Sequence, residues 1–245
     1  MKKIFFIMFF FLAMSGMAQN NSGDWILMKV DKNIGSDNKI SIGKMIIHGR
    51  RGIRTIKAKS WVKGVKQSFT EYLAPAREKG TKMLKLGDQL WMYTPTTDRI
   101  IKISGHMLRQ SVMGSDLSYE DMMEDPELHN IYNAILVDED TYIDRSCWVL
   151  KLTAKEAHIA YHTRKIWVDK ERFVVLKENR YARGGKLLKT AEIKKVIRIE
   201  NRWFPSIIVF KNVLKRGRGT EFMIESIEFN ADIPDYIFSK AALRK

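Results

Sequence analysis

The chain has 245 residues and carries 43 lysines and arginines against 28 acidic side chains, a formal charge of +15. That length holds one sizeable core, and such basicity points to an anionic partner, either nucleic acid or a membrane surface. A single cysteine, Cys147, excludes a disulfide within the chain, so stability has to come from buried apolar surface.

Lys2 and Lys3 lead into residues 4–14, which are uncharged and strongly apolar, and Ser15-Gly16-Met17-Ala18-Gln19 follows. A basic start, a short apolar run and small residues at Gly16 and Ala18 spell an export signal cleaved after Ala18. The run falls short of the ~20 residues that cross a bilayer, and an uncleaved anchor is the competing reading. No cysteine ends the run, so the chain is not expected to be a lipoprotein itself. Cleavage removes residues 1–18, including Lys2 and Lys3, and leaves 227 of 245 residues with the charge lowered from +15 to +13. An exported protein meets little nucleic acid, so none is expected as a partner. An anionic membrane surface or lipid headgroup takes its place, with plain solubility as the alternative use of the charge.

No repeat and no Pro-, Gly- or Ser-rich stretch divides the remainder, so residues 19–245 are read as one domain. Residues 24–33 predict a short helix with Asp24 as its cap and Trp25, Met28 and Lys29 on one side. From Lys39 the texture turns to short alternating runs punctuated by glycine, a meander of antiparallel strands. Ile40, Ile42, Ile46 and His48 mark the first, with a turn at Gly49 to Gly52. Ile56, Ala58, Ser60 and Val62 mark the second, and after Gly64 come Phe69 and Tyr72. Residues 77–86 and 89–94 pair across Gly87-Asp88, and residues 99–104 add another strand. Residues 105–130 then lose the period of two and read as a loop with short helices, Ser118 capping one of them ahead of Glu120 and Asp121. Strands resume at 148–152, 159–168, 173–181, 186–199, 206–214 and 222–229, and residues 235–243 close the chain as a short helix. Ten to twelve such strands in one domain predict a barrel or a sheet curled far around.

Several strands are basic on one side, as at Lys57 with Lys59 and Lys194 with Arg198, and apolar on the other. The apolar side needs a cover. The only covers available are the first helix and the Met-rich segment 105–130, which are small for the task, so a cavity between sheet and lid is expected. Complete filling by core side chains is the alternative.

No constellation assembles chemistry. His158 and His162 are spaced as in helical zinc motifs, but the region reads as a strand, where they would stand ~13 Å apart. Ser104, His106, Asp116 and Ser115 lack any nucleophile elbow. Glu120, Asp121, Glu124, Asp125 and Glu127 lack calcium-loop spacing and read as a solvated helix face. Cys147 reads as a small buried residue. Catalytic residues, metal ligands and cofactors are therefore not assigned, and the chain is not expected to be an enzyme. Met107, Leu108, Met113, Met122 and Met123 crowd one segment, which suits a surface that repacks around variable apolar ligands, or equally ordinary core filling. Trp91 and Tyr93 share a strand face, expected to look inward beneath Met107, Leu108 and Met113. A slip of one residue would turn Leu90 and Met92 inward instead.

Three stretches carry a family resemblance: Lys79-Gly80 through Leu84 to Leu90-Trp91-Met92-Tyr93-Thr94-Pro95, Asp98-Arg99-Ile100-Ile101-Lys102-Ile103-Ser104, and Gly114-Ser115-Asp116-Leu117-Ser118-Tyr119-Glu120-Asp121. Ile233-Pro234-Asp235 with Phe238 and Leu243 adds to them. Together they resemble the outer-membrane lipoprotein-sorting family, a LolA-like group of exported proteins. The resemblance implies a mainly β fold with a few helices: an unclosed, strongly curved antiparallel β-barrel plugged by short helices. It also implies an apolar cavity for acyl chains, lined on this reading by Phe69, Tyr72, Leu84, Leu86, Trp91, Tyr93, Met107, Leu108 and Met113. The expected function is a periplasmic, monomeric carrier of lipoprotein or lipid acyl chains toward an outer-membrane acceptor. The alternative is an adaptor of an inner-membrane RND-type exporter with no cargo of its own.

Overall fold

A computed structural model describes residues 22–49 and 52–245. The expected signal peptide, residues 1–18, and the middle of the first turn, Arg50 and Arg51, lie outside the described residues. The strands are β1 (Asn38–Gly49), β2 (Gly52–Lys63), β3 (Gln67–Ala74), β4 (Lys82–Leu86), β5 (Gln89–Thr94), β6 (Arg99–Ile103), β7 (Tyr132–Tyr142), β8 (Arg145–Ala154), β9 (Thr163–Asp169), β10 (Val175–Tyr181), β11 (Leu187–Ile199), β12 (Arg202–Asn212) and β13 (Thr220–Phe229). Among the described residues three α-helices accompany them: α1 (Gly23–Ile34), α2 (Tyr119–Met123) and α3 (Leu128–Ile131).

All thirteen strands form one antiparallel sheet, ordered β6-β5-β4-β3-β2-β1-β13-β12-β11-β10-β9-β8-β7. The fold is mostly β, and its curved sheet stays open because the edge strands β6 and β7 do not pair. Two meanders compose it. One walks from β1 outward to β6. The chain then crosses to the far edge, enters β7 and walks back until β13 pairs with β1, Met45 opposite Phe222. That one long-range ladder joins the halves.

Alternation gives the sheet two apolar faces. On β5, Leu90 and Met92 join Met45, Ile56, Tyr72 and Met83 on the inner face, under residues 105–123. Trp91 and Tyr93 join Phe69 and Leu84 on the outer face. There they meet Phe238, Ala242 and Leu243 from two 3₁₀ turns, Asp235–Phe238 and Lys240–Arg244, which replace the single C-terminal helix expected. The inward expectation for Trp91 and Tyr93 is thus reversed, and the slipped register holds. The C-terminal turns supply a second apolar layer, so both faces of β3–β5 are buried and alternation alone had no unique inside.

Helix α1 caps the other end of the inner face. Ile26, Leu27 and Val30 are fully buried against Tyr132, Leu150, Leu152, Ile166 and Val168. Each such side chain contributes about 1.5–3 kcal/mol. Ser22, not Asp24, caps the helix, its hydroxyl accepting from Trp25 N at 3.2 Å. The Asp24 carboxylate instead accepts from Ala134 N at 2.7 Å and pins the helix to β7.

Strand β7 was not legible in the sequence. Ile135, Leu136 and Val137 run consecutively and exposed, a bulge falls between Leu136 and Asp138, and acids follow, so no period of two survives. Residues 77–81 turn instead of extending, and His158 and His162 lie in the connection before β9, not on a strand. No helix among the described residues is long and apolar enough to cross a membrane.

The seat of α1 depends on Gly23, where an added Cβ would stand 2.5 Å from the Ala134 carbonyl oxygen. Gly23→Ala is expected to push α1 off β7 and to cost about 1–3 kcal/mol, as overpacking does. Urea unfolding measures it, and an unchanged midpoint would refute this docking.

Candidate functional site

The inner face has a floor of matched rows. Ile193 pairs with Ile208, Ile208 with Phe222, Phe222 with Met45 and Met45 with Ile56, an apolar band across five strands. Beside it lie Gly43 opposite Ala58 and Ser41 opposite Ser60, which in turn faces Thr70. These small residues leave room above the sheet. At Gly43 a Cβ would come within 2.8 Å of the Met223 carbonyl oxygen, so the position stays bare. A cavity of about 130 Å³ sits there, bounded by Gly43, Met45, Ala58, Tyr72, Val112 and Met122. A larger one of about 340 Å³ lies between α1, the lid and β9–β12, bounded by Val30, Ile34, Ile166, Ile193, Ile208 and Phe210. The second is of the size of ligand pockets in general, ~300–1,000 Å³.

The roof is residues 105–123. Met107, Leu108, Val112, Met113, Tyr119 and Met123 pack onto Met45, Tyr72, Met83, Leu90 and Met92. Ser118 and Asp121 form a capping box that starts α2, with the Ser118 N–H donating to Asp121 at 2.6 Å. Two residues before that cap Asp116 accepts from Thr220 Oγ1 at 2.8 Å and from Asn212 N at 2.9 Å.

A buried ionic network ties α2 to the sheet. Asp121 accepts from Tyr161 Oη at 2.6 Å, from Arg180 at 3.2 Å and from Lys189. Arg164, 1 % exposed, bonds Glu178 at 2.6 Å and pairs with Glu124, while Arg180 bonds Glu178 at 2.9 Å. Three carboxylates thus face three cations, and the network is formally neutral. Neutrality is what permits the burial, since an uncompensated charge here would cost several kcal/mol. Burial pushes the Asp121 carboxyl up, but Arg180 and Lys189 outweigh it and hold the group at about 2. Burial also raises Glu178, and Arg180 with Arg164 brings it below its ordinary value. The network was missed in the sequence, where the acids read as a solvated helix face. Asp121 and Glu124 are three apart and turn inward together; Arg164 stands two residues from the buried Ile166 on β9 and Glu178 two from Arg180 on β10, so period-two alternation puts them on one face.

Of the residues expected to line the site, Tyr72, Met107, Leu108 and Met113 belong to the inner face. Phe69, Leu84, Leu86, Trp91 and Tyr93 belong to the outer face, against the C-terminal turns. The residues that bound the larger cavity come mostly from β9–β12 and α1, which carried no distinctive motif.

Removing Arg164 leaves Glu124 and Glu178 facing a deficit of charge. Arg164→Leu is expected to cost about 3–5 kcal/mol, and Arg164→Leu with Glu124→Leu, which restores neutrality, less than the single change. Equal urea midpoints for wild type and the single variant would contradict the network. Acid should act on the same contact. Asp121 has a folded pKa below its ordinary 3.8, so its stabilisation, roughly 2 kcal/mol, is complete above pH 4 and is lost as pH falls toward about 2. Hydrogen exchange at 119–123 should speed up over that window, ahead of the amides of β8 and β9. Simultaneous loss everywhere would mean that the lid has no separate acid response.

The chain matches, over residues 64–245, a family model described as "-like: Uncharacterized protein". No curated protein matches it. Its backbone is similar to that of a DUF1329 family protein from Desulfovibrio piger, with a TM-score of 0.83 and 23 % identity over 90 % of this chain and 97 % of that one. A putative outer-membrane lipoprotein-sorting protein domain from Vibrio parahaemolyticus gives 0.78 and 22 %, covering 91 % and 98 %. A LolA superfamily protein from Nitrosomonas europaea gives 0.76 and 23 %, covering 90 % and 99 %. The chain belongs to the family whose model spans residues 64–245, and its fold is the open, curved sheet of the LolA superfamily and lipoprotein-sorting proteins.

Proposed function

We propose that the protein is a periplasmic carrier that holds acyl chains of a lipid or lipoprotein on the inner face of its sheet during transfer toward the outer membrane. The observation that carries this is the cavity of about 340 Å³ between α1, the lid and β9–β12, walled chiefly by aliphatic and aromatic side chains. An acyl chain in an aqueous compartment gains ~0.8 kcal/mol for each methylene withdrawn from water. A carrier also has to release, and a roof built from methionines and short helical turns repacks at low cost. On this reading residues 1–18 are a removed export signal and residues 19–245 one lipid-binding domain. Donor and acceptor lie at the two membranes, an RND-type exporter being a suitable donor. The basic strand faces assist approach to anionic membrane surfaces.

Of the sequence-derived residues, Tyr72 borders the smaller cavity and Met107, Leu108 and Met113 belong to the roof that this reading makes the movable cover; Trp91, Tyr93, Phe69, Leu84 and Leu86 become framework for the sheet. The carrier reading is preferred to the adaptor because an adaptor without cargo gains nothing from unfilled apolar volume, which costs stability.

The test pairs a fluorescent fatty acid titration with urea unfolding. Ile208→Trp, which grows into the larger cavity, is expected to weaken binding at least tenfold with a midpoint close to wild type. Trp91→Gln is expected to lower the midpoint and leave affinity within about twofold. A folded Ile208→Trp protein that binds as wild type does would remove the cavity from the mechanism.

A further inference from the structure

The larger cavity borders a second surface of different chemistry. Asn33, Phe173 and Trp203 line both the cavity and an open groove outside it, whose other walls include Lys29, Lys32, Arg172 and Arg202. Lys29 and Lys32 are exposed and one turn apart on α1, so they stand on one side of the groove. Arg172 stacks on the Trp203 ring at 4.8 Å from the β9–β10 turn. Arg202 comes from the start of β12 and donates to the Gly35 carbonyl oxygen, satisfying the α1 C-terminus.

The groove's two carboxylates, Glu171 and Glu200, do not neutralise these four cations. Glu171 is bonded to Arg145 at 2.7 Å, and the adjacent Asp169 bonds Arg145 at 2.9 and 3.1 Å and lies 3.8 Å from Arg172 Nε, which leaves Lys29 and Lys32 as the groove's unmatched charges on α1. Glu200 is exposed on the β11–β12 turn. The cationic surplus at the threshold contrasts with the neutral network at the cavity's lid wall, where Arg164, Arg180 and Lys189 are matched by Asp121, Glu124 and Glu178.

The threshold residue is itself unusual. Phe173 has φ +52°, a left-handed conformation that a bulky side chain rarely adopts. Asn33 holds it there: its side-chain amide donates to the Arg172 and Phe173 carbonyl oxygens at 2.9 and 3.0 Å. The ring leans on Trp25 and Trp148, with centroids 5.7 and 5.4 Å away. Strain of this kind concentrates where a structure binds or switches.

We propose that the groove is a headgroup site: it takes the anionic head of a single-chain amphiphile whose acyl chain passes Phe173 into the cavity. This rests on the carrier reading and specifies its cargo. The recognised chemistry is a negatively charged oxygen group, carboxylate or phosphodiester, held by Lys29, Lys32 and Arg172. Arg202 is committed to Gly35 and serves mainly to keep the groove positive. A neutral head finds the same acyl cavity without these contacts, and a zwitterionic head sets its own ammonium against the groove's cations.

Calorimetry on the mature protein, below micelle concentrations and at low salt, tests this with four probes of equal acyl length: a fatty acid, lysophosphatidylglycerol, lysophosphatidylcholine and a monoacylglycerol. The first two are expected to bind on the order of tenfold tighter than the last two, with the gap closing at high salt. If only the fatty acid or only lysophosphatidylglycerol is favoured, that identifies the head as carboxylate or phosphodiester. Lys29→Glu with Lys32→Glu, and separately Arg172→Gln, should remove the preference and leave monoacylglycerol affinity unchanged. Arg183→Glu with Lys186→Glu, an equal charge change on the exposed β10–β11 turn, should keep the preference. Wild-type protein that binds all four probes equally overturns the headgroup site but not the carrier. A control pair that behaves like the groove pair reduces the preference to net charge and also overturns it. Failure to bind even the monoacylglycerol instead overturns the carrier reading beneath it.

Discussion

The pairing of β1 with β13 decides everything that follows. Once the first and last strands sit together at the middle of the sheet, the two meanders must end at opposite edges. The chain leaves at β6 and re-enters at β7, so residues 104–131 have to cross the inner face to connect them. The lid is a consequence of topology before it is a device. An open sheet with a crossing segment has space beneath it wherever the segment is too thin to fill the curve, and the small residues Gly43, Ala58, Ser41 and Ser60 keep that space from being filled from below.

A thin crossing segment needs an anchor that apolar packing alone does not supply. On the β1–β6 side the anchor is hydrophobic: methionines, Leu108 and Tyr119 lie on Met45, Tyr72 and Leu90. On the β9–β11 side it is ionic, with Asp121 and Glu124 received by Arg164, Arg180 and Lys189. The two kinds of contact differ in specificity. Methionine packing tolerates displacement by an apolar guest, whereas a buried neutral network has one arrangement in which every charge is compensated. The segment is therefore soft where it roofs the smaller cavity and fixed where it walls the larger one. That division suits a protein that admits an apolar guest without losing its fold.

The outer face follows a different logic. The C-terminal 3₁₀ turns cover Phe69, Leu84 and Trp91, while cations cover other aromatic rings of that face, as Lys177 does over Trp167 at 4.5 Å. Lysine stems covering aromatic rings, with the ammonium groups in water, account for part of the excess positive charge without any partner at all. The cationic groove beside Phe173 stands apart from that pattern because it adjoins an apolar cavity.

Much of the architecture could be read from residue order. Short alternating runs broken at Gly64 and Gly87-Asp88 announced an antiparallel meander, the loss of alternation after Ser104 marked the lid, and the quoted Trp91–Pro95 and Gly114–Asp121 stretches carried the resemblance to the lipoprotein-sorting fold. Those features are local, set by turn chemistry and by the period of two. The facing of Trp91 and Tyr93 was not local: it depended on Phe238 and Leu243 arriving from the far end of the chain to bury the face that alternation left undecided. Strand β7 was hidden because an edge strand with a bulge need not alternate. The ionic network was hidden because its members lie on α2, β9, β10 and β11, and only the crossing of the lid brings them together. The sequence by itself determined most of the strands and where the pattern breaks; the tertiary structure decided the edge strand β7 and which face is inside, because pairing at an edge and burial of each face depend on segments distant in the chain.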